Sequence, residues 1–153
     1  MKKIATFLMI VALGAALGFA LPGRQPARAA ASDPNIDLGQ ILTLTNQAAG
    51  SVFSADLKNV AGHSAKCTVT ITAVTAGSVT VTIYGKDGAS GQYFSLLASS
   101  AIASPGQSIL TVGPGLPVTS NVSANDVLPP TWRVGAAVVT GPASGTVGCS
   151  VIE

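Results

Sequence analysis

Along most of this chain, apolar and polar residues alternate one for one in short runs separated by Gly, Pro, Asn and Ser. Such alternation sends successive side chains to opposite faces of a strand. The runs predict strands near 40–46, 51–58, 66–75, 78–85, 92–98, 108–113, 131–140 and 146–152. No stretch after residue 30 keeps an apolar 3.6-residue period over three turns. Short strands at regular spacing, with turn residues between them, predict a sandwich or barrel. Their many threonines suit antiparallel sheets with one buried and one wet face. The expected fold is all-β: a single antiparallel β-sandwich of seven to eight short strands over residues 40–153.

The stretch SVTVTIYGKDGASGQYFSLLAS, residues 78–99, reads as a hairpin. Val79, Val81 and Ile83 form its predicted inward row, and Thr80, Thr82 and Tyr84 the outward one. The Asp87-Gly88 pair at its tip accepts the positive φ angles of a tight turn. Few large residues are available to anchor a core: Phe53, Tyr93, Phe94 and Trp132. Trp132 shares a face with Val134, Ala136 and Val138, which places it inside. The prolines of VLPP (127–130) cannot donate ladder hydrogen bonds, so they mark the entry to that strand.

The first 29 residues break the pattern. Lys2 and Lys3 precede an uncharged, mostly apolar run from Ile4 to Leu21, and Pro22-Gly23 ends it. Ala27-Arg28-Ala29 and Ala29-Ala30-Ala31 both fit small-x-small cleavage sites. Residues 1–29 are therefore expected to be an export signal. The alternative is a retained N-terminal membrane helix, since the run just reaches spanning length. Residues 30–39, AASDPNIDLG, read as a polar leader.

Export changes the meaning of the two cysteines, because exported chains meet oxidising surroundings. In KCTVTITAV, Cys67 shares a face with Val69, Ile71 and Ala73; in GTVGCSVIE, Cys149 shares one with Val147 and Val151. Both thiols thus point to the apolar side of their strands. We expect a Cys67–Cys149 disulfide; the alternative is a pair of buried free thiols acting as small hydrophobes.

Charge narrows the function classes. Only 9% of residues are charged, and four of the eight basic ones lie in the first 28 residues. Lys58, Lys66, Lys86 and Arg133 remain against six acids, too few and too scattered to displace counterions from a nucleic acid. The catalytic inventory is equally thin. His63 is the single histidine, no serine sits in a G-x-S-x-G elbow, and Glu153 is the single glutamate. Two cysteines and one histidine are too few for structural zinc. Asp87 with Gly88 and Ser90, and Asn125 with Asp126, carry oxygen ligands but not the spacing of a dedicated calcium loop. Asn121-Val122-Ser123 is a glycosylation sequon by pattern. The chain is expected to be no enzyme and to use no cofactor or metal.

Two segments, GKDGASGQYFSLLAS (85–99) and NDVLPPTWRV (125–134), with ILTVGPGL between them, resemble a family of small structural proteins of tailed bacteriophages. The resemblance runs over roughly residues 51–152. It implies a compact β-sandwich and a virion or head-associated role as a decoration subunit. The partners it implies are copies of the chain or a protein shell, with a membrane involved only through an uncleaved N-terminal segment. The export signal and the cysteine pair are additions to that pattern. They leave open an exported binding or adhesion module, in the periplasm, at the cell surface or outside, taking a glycan or a protein. A structural subunit would pack through its Thr-rich faces and loops, and a binding module would use the 85–92 or 113–130 loops; the candidate interface residues are Lys86, Asp87, Ser90 and Gln92 of the hairpin tip.

Overall fold

The computed structural model describes residues 35–59 and 63–152. The expected export segment, and the leader up to residue 34, lie outside them. The described residues form strands and no helix: β1 (Ile36–Gln47), β2 (Gly50–Phe53), β3 (Leu57–Lys58), β4 (Ser64–Val74), β5 (Ser78–Lys86), β6 (Tyr93–Ala98), β7 (Gly106–Gly113), β8 (Ser123–Asn125), β9 (Thr131–Val139) and β10 (Ala143–Ile152). The first sheet has the order β1-β10-β4-β7-β8. The second runs β2-β9-β5-β6, with β3 also paired to β9. Every pairing is antiparallel except that of β7 with β8, which is parallel.

The buried cluster draws on both sheets. Cys67, Val69 and Ile71 of β4, Leu110 and Val112 of β7, and Val147 and Val151 of β10 come from the first. Val79, Val81 and Ile83 of β5, with Trp132, Val134 and Ala136 of β9, come from the second. The expected inward row of the hairpin is therefore inside, each member 0% exposed. Burial of a Val or Ile side chain contributes about 1.5–3 kcal/mol. The outward row is drier than expected: Thr80 and Tyr84 are half-buried, and Thr82 is buried.

Four expectations need correction. Strand β1 begins at Ile36, inside the expected leader, with Ile36 opposite Val151 and Asp37 opposite Ser150. Irregularities after Asp37, Gln40 and Leu44 break its alternation, which hides it from a period-two reading. The run 51–58 is two strands, β2 and β3, both on β9. Between them Ser54 donates its backbone N–H to Val134 O (2.8 Å) and accepts the Val134 N–H on Oγ (3.1 Å). Strand β8 has no apolar pattern and is held by register with β7. Its Ser123 hydroxyl donates to Pro117 O (2.6 Å).

The fourth correction concerns the anchors. Trp132 is fully buried, but Phe53 and Phe94 are 42% and 44% exposed. Phe53 pairs with Gly135, and its ring lies where a Cβ of Gly135 would sit, 2.6 Å away. Phe94 covers Gly85 in the same manner, together with Pro129. Both rings pack on glycine backbone instead of entering the core.

The cysteines stand opposite each other on β4 and β10 and form a disulfide, with Cα atoms 4.1 Å apart. Both are buried in the core.

Candidate functional site

The hairpin tip closes on itself. The Asp87 N–H donates to Gln92 O (2.9 Å), and the Gly91 N–H to Asp87 O (2.8 Å). The Asp87 carboxylate accepts the Ala89 N–H (3.1 Å), the Ser90 N–H (3.2 Å) and the Ser90 hydroxyl (2.5 Å). Ser90 Oγ in turn accepts the Gln92 N–H (3.2 Å). This is an Asx-type turn, in which a carboxylate substitutes for strand partners. The Ser90 hydroxyl, and then the two N–H groups, hold the Asp87 carboxyl below its ordinary range. The left-handed φ falls on Gly91 (69°), not on the Asp87-Gly88 pair expected to carry it.

Lys86 faces outward, opposite Tyr93 in the β5–β6 register. Its Nζ donates to Asp56 Oδ2 at 2.9 Å, the single ion pair among the described residues. The Tyr93 hydroxyl donates to Asp56 Oδ1 at 2.5 Å. These two donors, Tyr93 first, hold the Asp56 carboxyl below its usual range, and the same pairing raises Lys86. Lys58 donates to the Thr131 hydroxyl (3.0 Å). A cavity of about 260 Å³ opens among these groups, lined by Asp56, Lys58, Lys86, Asp87, Gly88, Gly91, Pro130 and Thr131.

Beside this corner lies an aromatic group built from all four strands of the second sheet's main path. Arg133 of β9 places its guanidinium carbon 3.5 Å from the Tyr93 ring centre, 4.1 Å from that of Phe53 and 6.0 Å from that of Tyr84. Phe53 meets Tyr84 edge-on at 5.9 Å. Lys86 Nζ stands 5.2 Å from the Tyr93 ring. Glycine at 135 makes the arrangement possible, since a side chain there would displace the Phe53 ring.

Of the expected interface residues, the structure thus gives Lys86 to Asp56, joins Asp87 to Ser90, and uses the Gln92 backbone to close the loop. Sequence reasoning did not find Asp56, Phe53, Tyr84 or Arg133. The signal was present only in register: Tyr84 pairs with Arg133, and Phe53 with Gly135, on one outward face. His63 donates its backbone N–H to Asn59 Oδ1 (3.3 Å). Asn125 Oδ1 accepts the Gly115 N–H (2.9 Å), and Asn121 Nδ2 donates to Ala98 O (3.1 Å). Among the described residues, no three His, Cys, Asp or Glu side chains gather as metal ligands do.

No family model matches the chain. No curated protein matches it. Among solved structures, a chain from the disulfide-linked pili of Bacillus endospore appendages aligns with 76% of this chain and 82% of its own length, at 12% identity and a TM-score of 0.40. A likeness at that score carries no argument about function.

Proposed function

We propose that the chain is an exported, non-enzymatic structural subunit, a β-sandwich that works by packing against copies of itself or against a protein shell. The observation that carries this reading is the scarcity of charge. Between residues 35 and 152 the charged side chains are Asp37, Asp56, Lys58, Lys66, Lys86, Asp87, Asp126 and Arg133. Five of them belong to the one corner described above. Typical soluble globular domains have about 25% charged residues overall. Interface cores are depleted of them. Exposed valines at 118, 122, 127 and 139, with Ile36 and Ile109, add apolar surface to the uncharged remainder.

The buried disulfide supports an oxidising compartment. The resemblance of residues 85–99 and 125–134 to phage structural proteins supports a virion-type role. The second reading, an exported module taking a glycan, would use the corner cavity and its rings. Arg133 already occupies the face of the Tyr93 ring on which a sugar would stack, which favours the structural reading.

The test is the mass of the processed chain by sedimentation over a range of concentrations. Association above the monomer, increasing with concentration, is the expected result. A monomer at every concentration, with saturable binding on a glycan array, would replace this reading with the binding module.

A further inference from the structure

We infer that Arg133 anchors this self-association by taking the carboxylate of Asp126 from a second copy of the chain, an inference that rests on the structural-subunit reading. The guanidinium is held but not paired. It lies against Tyr93 and Phe53, yet makes no hydrogen bond among the described residues, and its Nε is buried without a partner. An Arg seated on aromatic rings is weakly hydrated and fixed in direction, with a planar set of donors that matches a carboxylate. A carboxylate arriving end-on at the two terminal nitrogens would add charge-assisted hydrogen bonds that the ring contacts do not supply.

The chain's own nearest acid does not fill this role. Asp56 accepts from Tyr93 and Lys86, and Arg133 acts on it through space without a hydrogen bond between them. The corner as a whole has three cations (Lys58, Lys86, Arg133) and two acids (Asp56, Asp87). It therefore has one positive charge in excess, which suits a single monoanion.

Among the described residues, two acids lie outside the corner, Asp37 and Asp126. Asp37 shares a sheet row with Lys66 across Ser150, and its carboxylate closes the Gly39 turn. Asp126 accepts only the neighbouring Val127 N–H (2.8 Å). It directly follows β8, next to Val127 (62% exposed), and the loop entering β8 presents Val118 and Val122 at 76% and 46% exposure. Those valines offer apolar surface to the exposed sides of the Phe53 and Phe94 rings, whose other sides pack on Gly135 and Gly85. One chain holds both halves of the contact, so a two-fold pair would make it twice.

Sedimentation of Arg133→Gln, Asp126→Asn and the double reversal Arg133→Glu with Asp126→Arg tests this, with thermal melts to confirm folding. Each single change should weaken association by about tenfold or more, and the reversal should restore most of it. Asp126 is exposed, so its variant folds whatever becomes of Arg133. Singles that associate like the wild-type chain would overturn the inference and leave the structural reading standing. An effect of Asp37→Asn in place of Asp126→Asn would overturn the choice of acid. A wild-type chain that stays monomeric would instead remove the structural reading itself.

Discussion

Cys67 and Cys149 occupy directly opposed positions on β4 and β10, and the bond between them spans 82 residues of sequence. It ties the last strand to the middle of the first sheet. Closing a loop of that length restricts the unfolded chain by about 4 to 5 kcal/mol on the chain-entropy model. Both sulfurs lie in the core, so a reductant reaches them only when the strands separate. Cys67→Ser should therefore lower the melting temperature markedly, by an amount corresponding to about 2–5 kcal/mol. Alkylation before reduction, read by intact mass under denaturing conditions, should label neither thiol in the wild-type chain. Two labelled thiols would show the bond absent.

Val81 and Lys86 lie on the same strand with opposite consequences. Val81 is 0% exposed between the sheets. Val81→Asp would bury an unpaired carboxylate, a cost of several kcal/mol against a typical total stability of about 5–15 kcal/mol. That variant should not fold. Lys86→Ala removes an exposed ion pair and a contact with the Tyr93 ring, and the tip keeps its Asp87–Ser90 turn. Its far-ultraviolet circular dichroism and melting midpoint should stay close to wild type. A large loss of stability in Lys86→Ala would mean that the corner, not the core row, sets the hairpin.

The difference between these residues was visible in the sequence, and that of the aromatic corner was not. Val79, Val81 and Ile83 alternate cleanly with threonines, so one period-two reading gives both strand and buried face. Trp132 follows from the same argument. The cysteines were legible because each sits in such a row. Phe53 and Phe94 alternate too, yet their places depend on which strand lies opposite. Each ring lies across from a glycine and stays on the surface; Gly85 faces Phe94 within one hairpin, but Gly135 faces Phe53 from a distant strand, which leaves no local mark. Strand β8 is held by its register with β7 and the first residues of β1 by theirs with β10, where irregularities interrupt the alternation, so a hydrophobic pattern registers neither.

Acid and base should act on the corner in opposite senses. The Asp56 and Asp87 carboxyls titrate below their ordinary 3.8 in the folded chain. Their contribution is full above that value and is lost as pH falls through the folded values. Lys86 titrates above its ordinary 10.5, so its contribution is full below 10.5 and is lost as pH rises through the folded value. The melting temperature should be flat from about pH 5 to about pH 9 and fall on either side. Asp56→Asn should make both limbs shallower, because it removes a carboxylate and the partner of Lys86. Identical pH profiles for the variant and the wild-type chain would show that the pair is not formed in solution.

Two glycines provide a stability test that involves no charge. Gly77 turns the chain from β4 into β5 with φ of +79°, a left-handed angle that L side chains rarely adopt. A Cβ built there would stand 1.7 Å from Val139 O and 2.7 Å from Thr140 O, both backbone atoms that β9 and its following turn hold in place. Gly88 at the hairpin tip has no such angle, and a Cβ there meets nothing within 4 Å. Gly77→Ala should thus destabilise the fold by about 1–3 kcal/mol or more, through strain and the forced shift of β9. Gly88→Ala should be neutral or up to about 1 kcal/mol more stable, since it only restricts the unfolded chain. Thermal or urea unfolding of the two single variants gives the comparison directly. Equal midpoints would mean that the turn after β4 is not the tight crossing beneath Val139 and Thr140 described above.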